Sequence, residues 1–432
     1  MDVSLPRLSS RVLLITGAVV CAGVIGLTSI RIAVAAHWAG SQDAVQWQRA
    51  AQLEPGNADL WGQLGLFEEW DFERGDLRQS IVDFRRATRL NPHSDRLWMD
   101  LAGAYEVSGQ PDRARQAYQA ALEAHPDSAD VAWRYGSFLL RQGDTAAAAG
   151  QIRRALIDEP ELVPSAVSQF VKAGAGLDVI FGQVVPARPA GYLELIRYFV
   201  SRQDLDAALA TWARLDSLHA EIPLTRALDL IDRLIDGYRI DDAARIWRQA
   251  LVAAGISSPP DTHGSLVFNG DFETNFLGGG FDWRQSPADG AAFDLVADVA
   301  HSGQRSARVS FDGTRNVDFQ NLEQFVPVQP GGNYEFSAYM RTDGISTDSG
   351  LEFWIADSAD PGKPIAQTPV MTGTHDWTRL QRHFTASRTM RCALIVLRRL
   401  PSSMMFDNKI RGTVWVDDVR LVEEPGAPAS SQ

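Results

Sequence analysis

Four prolines constrain this chain more than any other feature. Pro55, Pro92, Pro126 and Pro160 follow one another at intervals of 37, 34 and 34 residues, inside the related segments LEPGNAD (53–59), LNPHSD (90–95), HPDSAD (125–130) and DEPELV (158–163). The stretches between them are rich in Ala, Leu and Arg. Proline cannot donate the backbone bond a helix needs and so ends one. Each unit therefore reads as two helices closed by a turn. A unit this short cannot bury its apolar face alone, so its neighbours must stack on it.

Within the units, large and small residues recur at fixed offsets. Trp61, Leu64 and Gly65 return as Trp98, Leu101 and Tyr105, then as Trp133 with Gly136. Ala114 with Tyr118 is echoed more loosely by Ser80 with Phe84 and by Ala148 with Ile152. The longer first interval fits an insertion near EEWDFERGD (68–76). The pattern resembles the tetratricopeptide repeat, W-x2-L-G-x2-Y then A-x3-F then P, with a period of about 34. Small residues let the paired helices approach, and the aromatic fills the gap to the next pair. Beyond Pro160 the repeats degrade, with Gly174, Gly176 and Pro186 interrupting them, but helical pairs return at 191–215 and 228–251. There Ala208 with Trp212 and Ala243 with Trp247 keep the A-x3-F spacing. The resemblance implies an all-α solenoid over 41–254, of about five or six hairpins, holding a protein partner on its concave surface. Trp61, Trp98, Trp133, Trp212 and Trp247 are expected to be packing residues, and Arg85, Arg86, Arg153 and Arg154 a solvated face.

At the N-terminus, Val12–Ile30 has no charged residue across 19 positions. As a helix it spans about 28 Å, close to the ~30 Å hydrocarbon core of a bilayer. Arg7 and Arg11 precede it and favour a cytoplasmic N-terminus (1–11). Residues 12–36 are expected to be a transmembrane anchor, with Arg31 snorkelling to the far interface and Trp38 at headgroup level. The alternative is a signal peptide cleaved at Ala33-Val34-Ala35. Either reading exports the rest of the chain, and the first makes it a single-pass inner-membrane protein with its bulk in the periplasm. A net charge of −13 argues against nucleic acid as a partner. The two cysteines, Cys21 and Cys392, form neither a disulfide framework nor a metal motif.

Residues 255–265 are polar, carry Pro259-Pro260 and read as a linker, and 424–432 read as a disordered tail. Between them, 266–423 alternates at period two. Tyr334, Phe336, Ala338 and Met340 share one parity, as do Leu351, Phe353 and Ile355, and these apolar sets are expected to face an inter-sheet core. Five segments stand out in order: LVFNGDFE (266–273), HSGQRSARVSF (301–311), QFVPVQPGGNYEFSAYMRTDG (324–344), DWTRLQRHFTA (376–386) and VWVDDVRLVE (414–423). Together they resemble the carbohydrate-binding modules of families four, nine and twenty-two. These are all-β jelly-roll sandwiches of the galactose-binding type. The fold class expected is thus multidomain: a transmembrane helix, an all-α tetratricopeptide solenoid and a C-terminal jelly roll.

That resemblance implies a glycan ligand. Tyr339 and Trp354 occupy outward parity with Arg341 and Glu352 beside them, and if their strands are neighbours the four side chains make one patch. Trp283 and Trp377 match packing tryptophans. Asn316, Asp318, Gln320 and whichever of Arg398 and Arg399 faces outward are further lining candidates. The resemblance also implies a structural calcium on Glu273 and Asp417, with backbone carbonyls near Ser302–Arg305, Asp418 being an alternative to Asp417. Calcium takes about 6–8 oxygens.

There is no HExxH, GxSxG, Walker loop or dinucleotide fingerprint, so an enzyme is not expected. The reading is a membrane-anchored extracytoplasmic scaffold that binds protein through its repeats and polysaccharide or oligosaccharide through its jelly roll. Its parts are similar to the repeat-bearing scaffold subunits of exopolysaccharide synthesis and export. One rival is a structural scaffold whose sandwich binds protein. The other is a glycoside-processing enzyme, which needs two carboxylates about 5–9.5 Å apart in a cleft.

Overall fold

The computed structural model describes residues 8–40, 44–70, 76–256 and 264–425. The start of the expected cytoplasmic N-terminus (1–7), the centre of the insertion (71–75), most of the linker (257–263) and most of the tail (426–432) lie outside the described residues. The chain divides into two compact units, Met1–Ala187 and Arg188–Gln432. The division falls within the helices, not at the polar segment 255–265.

The first unit opens with α1 (Leu8–Ala39), α2 (Ala44–Leu53) and α3 (Ala58–Trp70). It continues with α4 (Leu77–Leu90), α5 (Asp95–Val107), α6 (Pro111–Ala124), α7 (Ala129–Arg141) and α8 (Thr145–Asp158). It closes with α9 (Val163–Lys172) and the single turn α10 (Leu177–Val179), which runs into a π-helical turn at Ile180–Val184. The pairs α3–α4, α5–α6 and α7–α8 are the predicted hairpins. Their small residues do what packing requires: a Cβ at Gly65 would lie 2.8 Å from the Phe84 ring, and one at Gly136 would lie 2.8 Å from Ile152. The proline turns are also built alike. Trp61 Nε1 donates to the Pro55 carbonyl at 3.2 Å, and Trp98 Nε1 to the Pro92 carbonyl at 2.9 Å. Ser94 and Ser128 cap α5 and α7 by accepting from Leu97 and Val131, satisfying one orphan helix N–H each. Trp61, Trp212 and Trp247 are buried as expected, whereas Trp98 and Trp133 are only half-buried.

α1 is the one described helix long and apolar enough to cross a membrane. Its last turns behave differently from the expectation for Arg31 and Trp38. Arg31 Nε bonds Glu54 at 2.5 Å, and Ala35, Trp38 and Ala39 pack against Ala50, Ala51, Leu60 and Trp61. An apolar cluster with α2 and α3 holds this end.

The second unit begins with α11 (Pro189–Ser201), α12 (Leu205–Asp216), α13 (Leu228–Asp236) and α14 (Ile240–Ala253). Ten strands follow: β1 (Arg284–Gln285), β2 (Ala291–Val296), β3 (Ser306–Asp312), β4 (Phe319–Pro327), β5 (Asn333–Ile345), β6 (Glu352–Asp357), β7 (Pro364–Gln367), β8 (Gly373–Thr385), β9 (Cys392–Arg399) and β10 (Arg411–Glu424). They form two antiparallel sheets, β1-β4-β9-β6-β7 and β2-β3-β10-β5-β8. The predicted apolar parities meet between them: Phe336, Ala338 and Met340 from β5 join Phe353 and Ile355 from β6, Ile395 and Leu397 from β9, and Val414 and Val416 from β10. The opening segment runs along β10, with Leu266 N–H donating to Leu421 O at 2.7 Å and Val419 N–H to Gly270 O at 2.8 Å. A side chain at Gly270 would collide with the Val419 carbonyl, so the NGD turn needs glycine there.

The hairpin α13–α14 lies against the sandwich. Trp247 meets Phe268 and Phe281 edge-on, at centroid distances of 5.2 and 6.1 Å. Asp232 accepts from Gly280 N–H at 2.7 Å and from Arg284 at 2.6 Å. Tyr238 Oη donates to Asp357 and to the Thr389 carbonyl, and Asp241 pairs with Arg391.

Candidate functional site

Tyr339 and Trp354 do not share a patch. Tyr339 lies on β5, in the sheet with β10 and β8, and Trp354 lies on β6, in the sheet with β9 and β7. Both point away from the core, so they stand on opposite outer faces of the sandwich, as do Arg341 and Glu352. The condition that their strands be neighbours fails because the chain crosses between sheets after Ile345.

On the face of β6 and β9, Trp354 is half-buried. The Arg398 guanidinium sits 5.2 Å from its ring centroid, and Arg398 forms an ion pair with Asp318. Glu352 lies opposite Arg398 in register. Burial raises the Glu352 carboxyl above its ordinary value, while Trp354 and Arg398 pull it down in part. Trp354 Nε1 is enclosed beside that carboxylate and helps to hold it down. The face thus carries a flat ring, two carboxylates and a guanidinium. Of the two arginines, Arg398 faces outward. Arg399 turns inward, fully buried, and donates to Val317 O, Ser349 O, Thr347 Oγ1 and Asn316 Oδ1, with burial lowering its pKa. Asn316 is likewise a tie, bonding Ser402 through both side-chain atoms. Farther along the same face the outward residues Cys392, Leu394 and Val396 are buried. Arg284 stacks on Phe325 at 4.7 Å while held by Asp232 of α13. Helix α13 and its turn to α14 border that end.

On the face of β5, β8 and β10, Tyr339 is not free to stack. The His301 ring covers it at 3.5 Å between centroids, 16° from parallel. Trp377 meets His301 edge-on at 5.7 Å and lies outside the core cluster, contrary to its expected packing role; Trp283 is fully buried, as expected. Arg341 lies 5.6 Å from the ring of Trp415, which neighbours Arg308 in register on its other side. Glu335, His383 and Glu424 bring ligand-type atoms within 4.8 Å of one another, with Arg379 pairing Glu335 at 2.8 Å.

The expected calcium residues converge on one loop. Asp417 Oδ2 accepts from the N–H groups of His301 (2.8 Å) and Ser302 (3.1 Å), and Glu273 Oε1 from those of Gln304 (2.6 Å) and Arg305 (3.0 Å). A bulge in β10, with Asp418 at φ 48°, breaks the strand alternation. Asp418 therefore reaches the same loop and bonds His301 Nδ1 at 2.6 Å. Burial pushes the Asp417 carboxyl up to about 6. Burial would raise Asp418 as well, but hydrogen bonds from His301, Ser302 and Arg420 hold it below its ordinary value. The carboxylates suit a cation; the backbone groups bonded to them are N–H donors rather than the expected carbonyls.

Comparison with known proteins agrees with this architecture. The family model described as "Carbohydrate binding domain" matches residues 264–397, and "Tetratricopeptide repeat" models match 71–120 and 105–167. This chain carries tetratricopeptide repeats and a C-terminal carbohydrate-binding domain. No curated protein matches it. Among solved structures, a family 16 carbohydrate-binding module is similar at 21% identity, covering 37% of this chain and 99% of its own, with a TM-score of 0.26. The xylan-binding CBM22-1 domain of Paenibacillus barcinonensis Xyn10C is similar at 16% identity, covering 34% and 87%, with a TM-score of 0.25. Pseudomonas aeruginosa pilF is similar at 22% identity, covering 46% and 93%, with a TM-score of 0.24.

Both matched domain types are non-catalytic. The match to the carbohydrate-binding domain ends before β10, yet β10 is the central strand of its sheet and supplies Asp417 and Asp418. Sequence reasoning missed His301, Trp415 and the Glu335–His383–Glu424 set, whose members meet only through strand register.

Proposed function

We propose that this protein is a membrane-anchored, extracytoplasmic scaffold whose carbohydrate-binding domain holds a glycan on the outer face of β6 and β9. The observation that carries this is Trp354, a half-buried indole ring on an outer sheet face, set among Glu352, Arg398 and Asp318. A sugar presents C–H faces that lie on an aromatic ring and hydroxyls that both donate and accept. The repeats hold a protein partner, and joining both activities on one anchored chain suits polysaccharide synthesis or export at the cell envelope. Retention of α1 is supported by its last turns: the Ala33-Val34-Ala35 site lies within the helix, with Ala35 in the cluster of α2 and α3. Arg7 and Arg11 favour the periplasm for the remainder. For calcium, we propose that the remaining lone pairs of Glu273 and Asp417 take the ion, which would fasten the 301–305 loop.

A glycan array on the full chain in detergent, followed by titration of the best ligand, tests the central reading. Trp354→Ala is expected to abolish retention. A chain that retains no glycan, or a variant that binds as well as wild type, overturns it. The second result would favour the sandwich as a structural domain that binds protein, packed on its own unit's α13–α14.

A further inference from the structure

We propose that a groove between α4, α5 and α6 docks an acidic, extended peptide segment of a partner protein. This rests on the reading that the repeats bind protein, and it names where and by what chemistry. The groove encloses about 470 Å³ and is lined by Arg85 and Arg89 from α4, Trp98 and Tyr105 from α5, and Arg113 and Gln116 from α6. Among the described residues no acidic side chain lines it. Four other arginines of the same unit are ion-paired, Arg96 with Asp59, Arg115 with Asp144, Arg134 with Asp130 and Arg141 with Glu106, whereas Arg86, Arg153 and Arg154 bind an aromatic ring or neutral oxygens. Arg85, Arg89 and Arg113 form no ion pair among the described residues. Arg89 instead donates to the Arg85 carbonyl, and Arg113 donates to Gln110 and lies 5.9 Å from the Tyr105 ring centroid.

Three exposed guanidiniums around one groove, in a chain of net charge −13, form a local positive potential with no ion-pair partner among the described residues. Arg85 and Arg89 are exposed on α4, and Trp98, which packs against Met99, Ala121 and Val131, leaves part of its ring open. One occupant accounts for both. Carboxylates pair with the guanidiniums in bidentate fashion, while an apolar side chain rests against the half-buried Trp98 ring. A peptide carries both kinds of group on neighbouring residues. A uronate polymer carries the carboxylates without the apolar side chain.

The test uses the full chain in detergent and a short fluorescein-labelled peptide alternating Glu-Asp with Leu-Phe, read by anisotropy. Binding is expected, weakening with salt as exposed charges are screened, and absent for the same peptide with lysine for each acid. Arg85→Glu with Arg89→Glu, and separately Arg113→Glu, should each weaken binding at least about tenfold, which is ~1.4 kcal/mol. Arg78→Glu, elsewhere on α4, should leave it unchanged. Unaltered circular dichroism melts keep loss of fold out of the comparison. No binding by wild type, or reversals within about twofold, overturns the proposal, as does tighter binding of an oligogalacturonate through the same arginines. Photocrosslinkers at Gln116 in the groove and at Gln79 outside it separate two failures. Partner capture from Gln79 alone sinks the groove and leaves protein binding by the repeats standing. Capture from neither sinks both.

Discussion

The joint between α13–α14 and the sandwich can be tested at one methyl group. Gly280 has φ 61°, and a Cβ there would lie 2.6 Å from the Trp247 ring and 3.3 Å from Leu228. Trp247 cannot swing away, because Phe268 and Phe281 pack against it. Gly280→Ala should then cost about 1–2 kcal/mol for the left-handed backbone and about 1–3 kcal/mol for overpacking. Trp247→Ala should cost about 3–5 kcal/mol, as truncation of a large buried aromatic does. In the double variant the overpacking disappears and only the backbone strain remains. The double should therefore be about 1–3 kcal/mol more stable than the sum of the singles predicts. Urea melts of the four proteins, followed by far-ultraviolet dichroism for the helices and by fluorescence of buried Trp283 for the sandwich, measure this. Additivity within about 0.5 kcal/mol would refute the contact. So would a sandwich transition that Trp247→Ala leaves unmoved, since the two elements would then not melt as one body.

Trp354→Ala should weaken glycan binding at least tenfold, about 1.4 kcal/mol, while costing only about 1–2 kcal/mol of stability because the ring is half-buried; titration calorimetry beside thermal melts separates the two effects. Chelation should lower the melting temperature, and Glu273→Gln should remove that sensitivity; occupancy at a hundredfold excess over Kd contributes about 2.7 kcal/mol, and a melt indifferent to chelator removes calcium from the loop. Asp417, raised from 3.8 to about 6, binds its proton more tightly when folded, so wild type loses stability as pH rises across that window. Measured in chelator, the melting temperature of Asp417→Asn relative to wild type should therefore climb between about pH 4 and pH 7, and a constant difference contradicts the assignment. Mass spectrometry of the membrane-bound protein should find α1 intact, and a mature chain beginning near His37 would make it a signal peptide.

Much of this architecture is written locally. The proline intervals, the Trp–Leu–Gly offsets and the alternation in β5 and β6 each depend on residues within a few positions of one another, so helix pairs and inward faces can be read directly. The roles of Gly65 and Gly136 followed from the same spacing, whereas Glu273 and Asp417 were paired only by the family resemblance and here bond separate residues of the 301–305 loop. Parity, however, says only which side of its own sheet a residue takes. Whether β5 and β6 share a sheet depends on hydrogen bonding to distant partners, β8 and β10 for one and β7 and β9 for the other. That choice put Tyr339 and Trp354 on opposite faces. The bulge at Asp417–Asp418 depends equally on the register of β10 against β5, and it carried both carboxylates to one loop where alternation would have parted them. His301 reached Tyr339 because that loop folds back over the sheet. The hairpin α13–α14 has the apolar face of any repeat, with Ile231 and Leu234 fully buried. Nothing in its own residues names the surface it meets, because apolar burial is proportional to area and carries no address. The pairing of Asp232 with Arg284 and of Tyr238 with Asp357 fixes that address, and those partners come within reach only once the sandwich has formed.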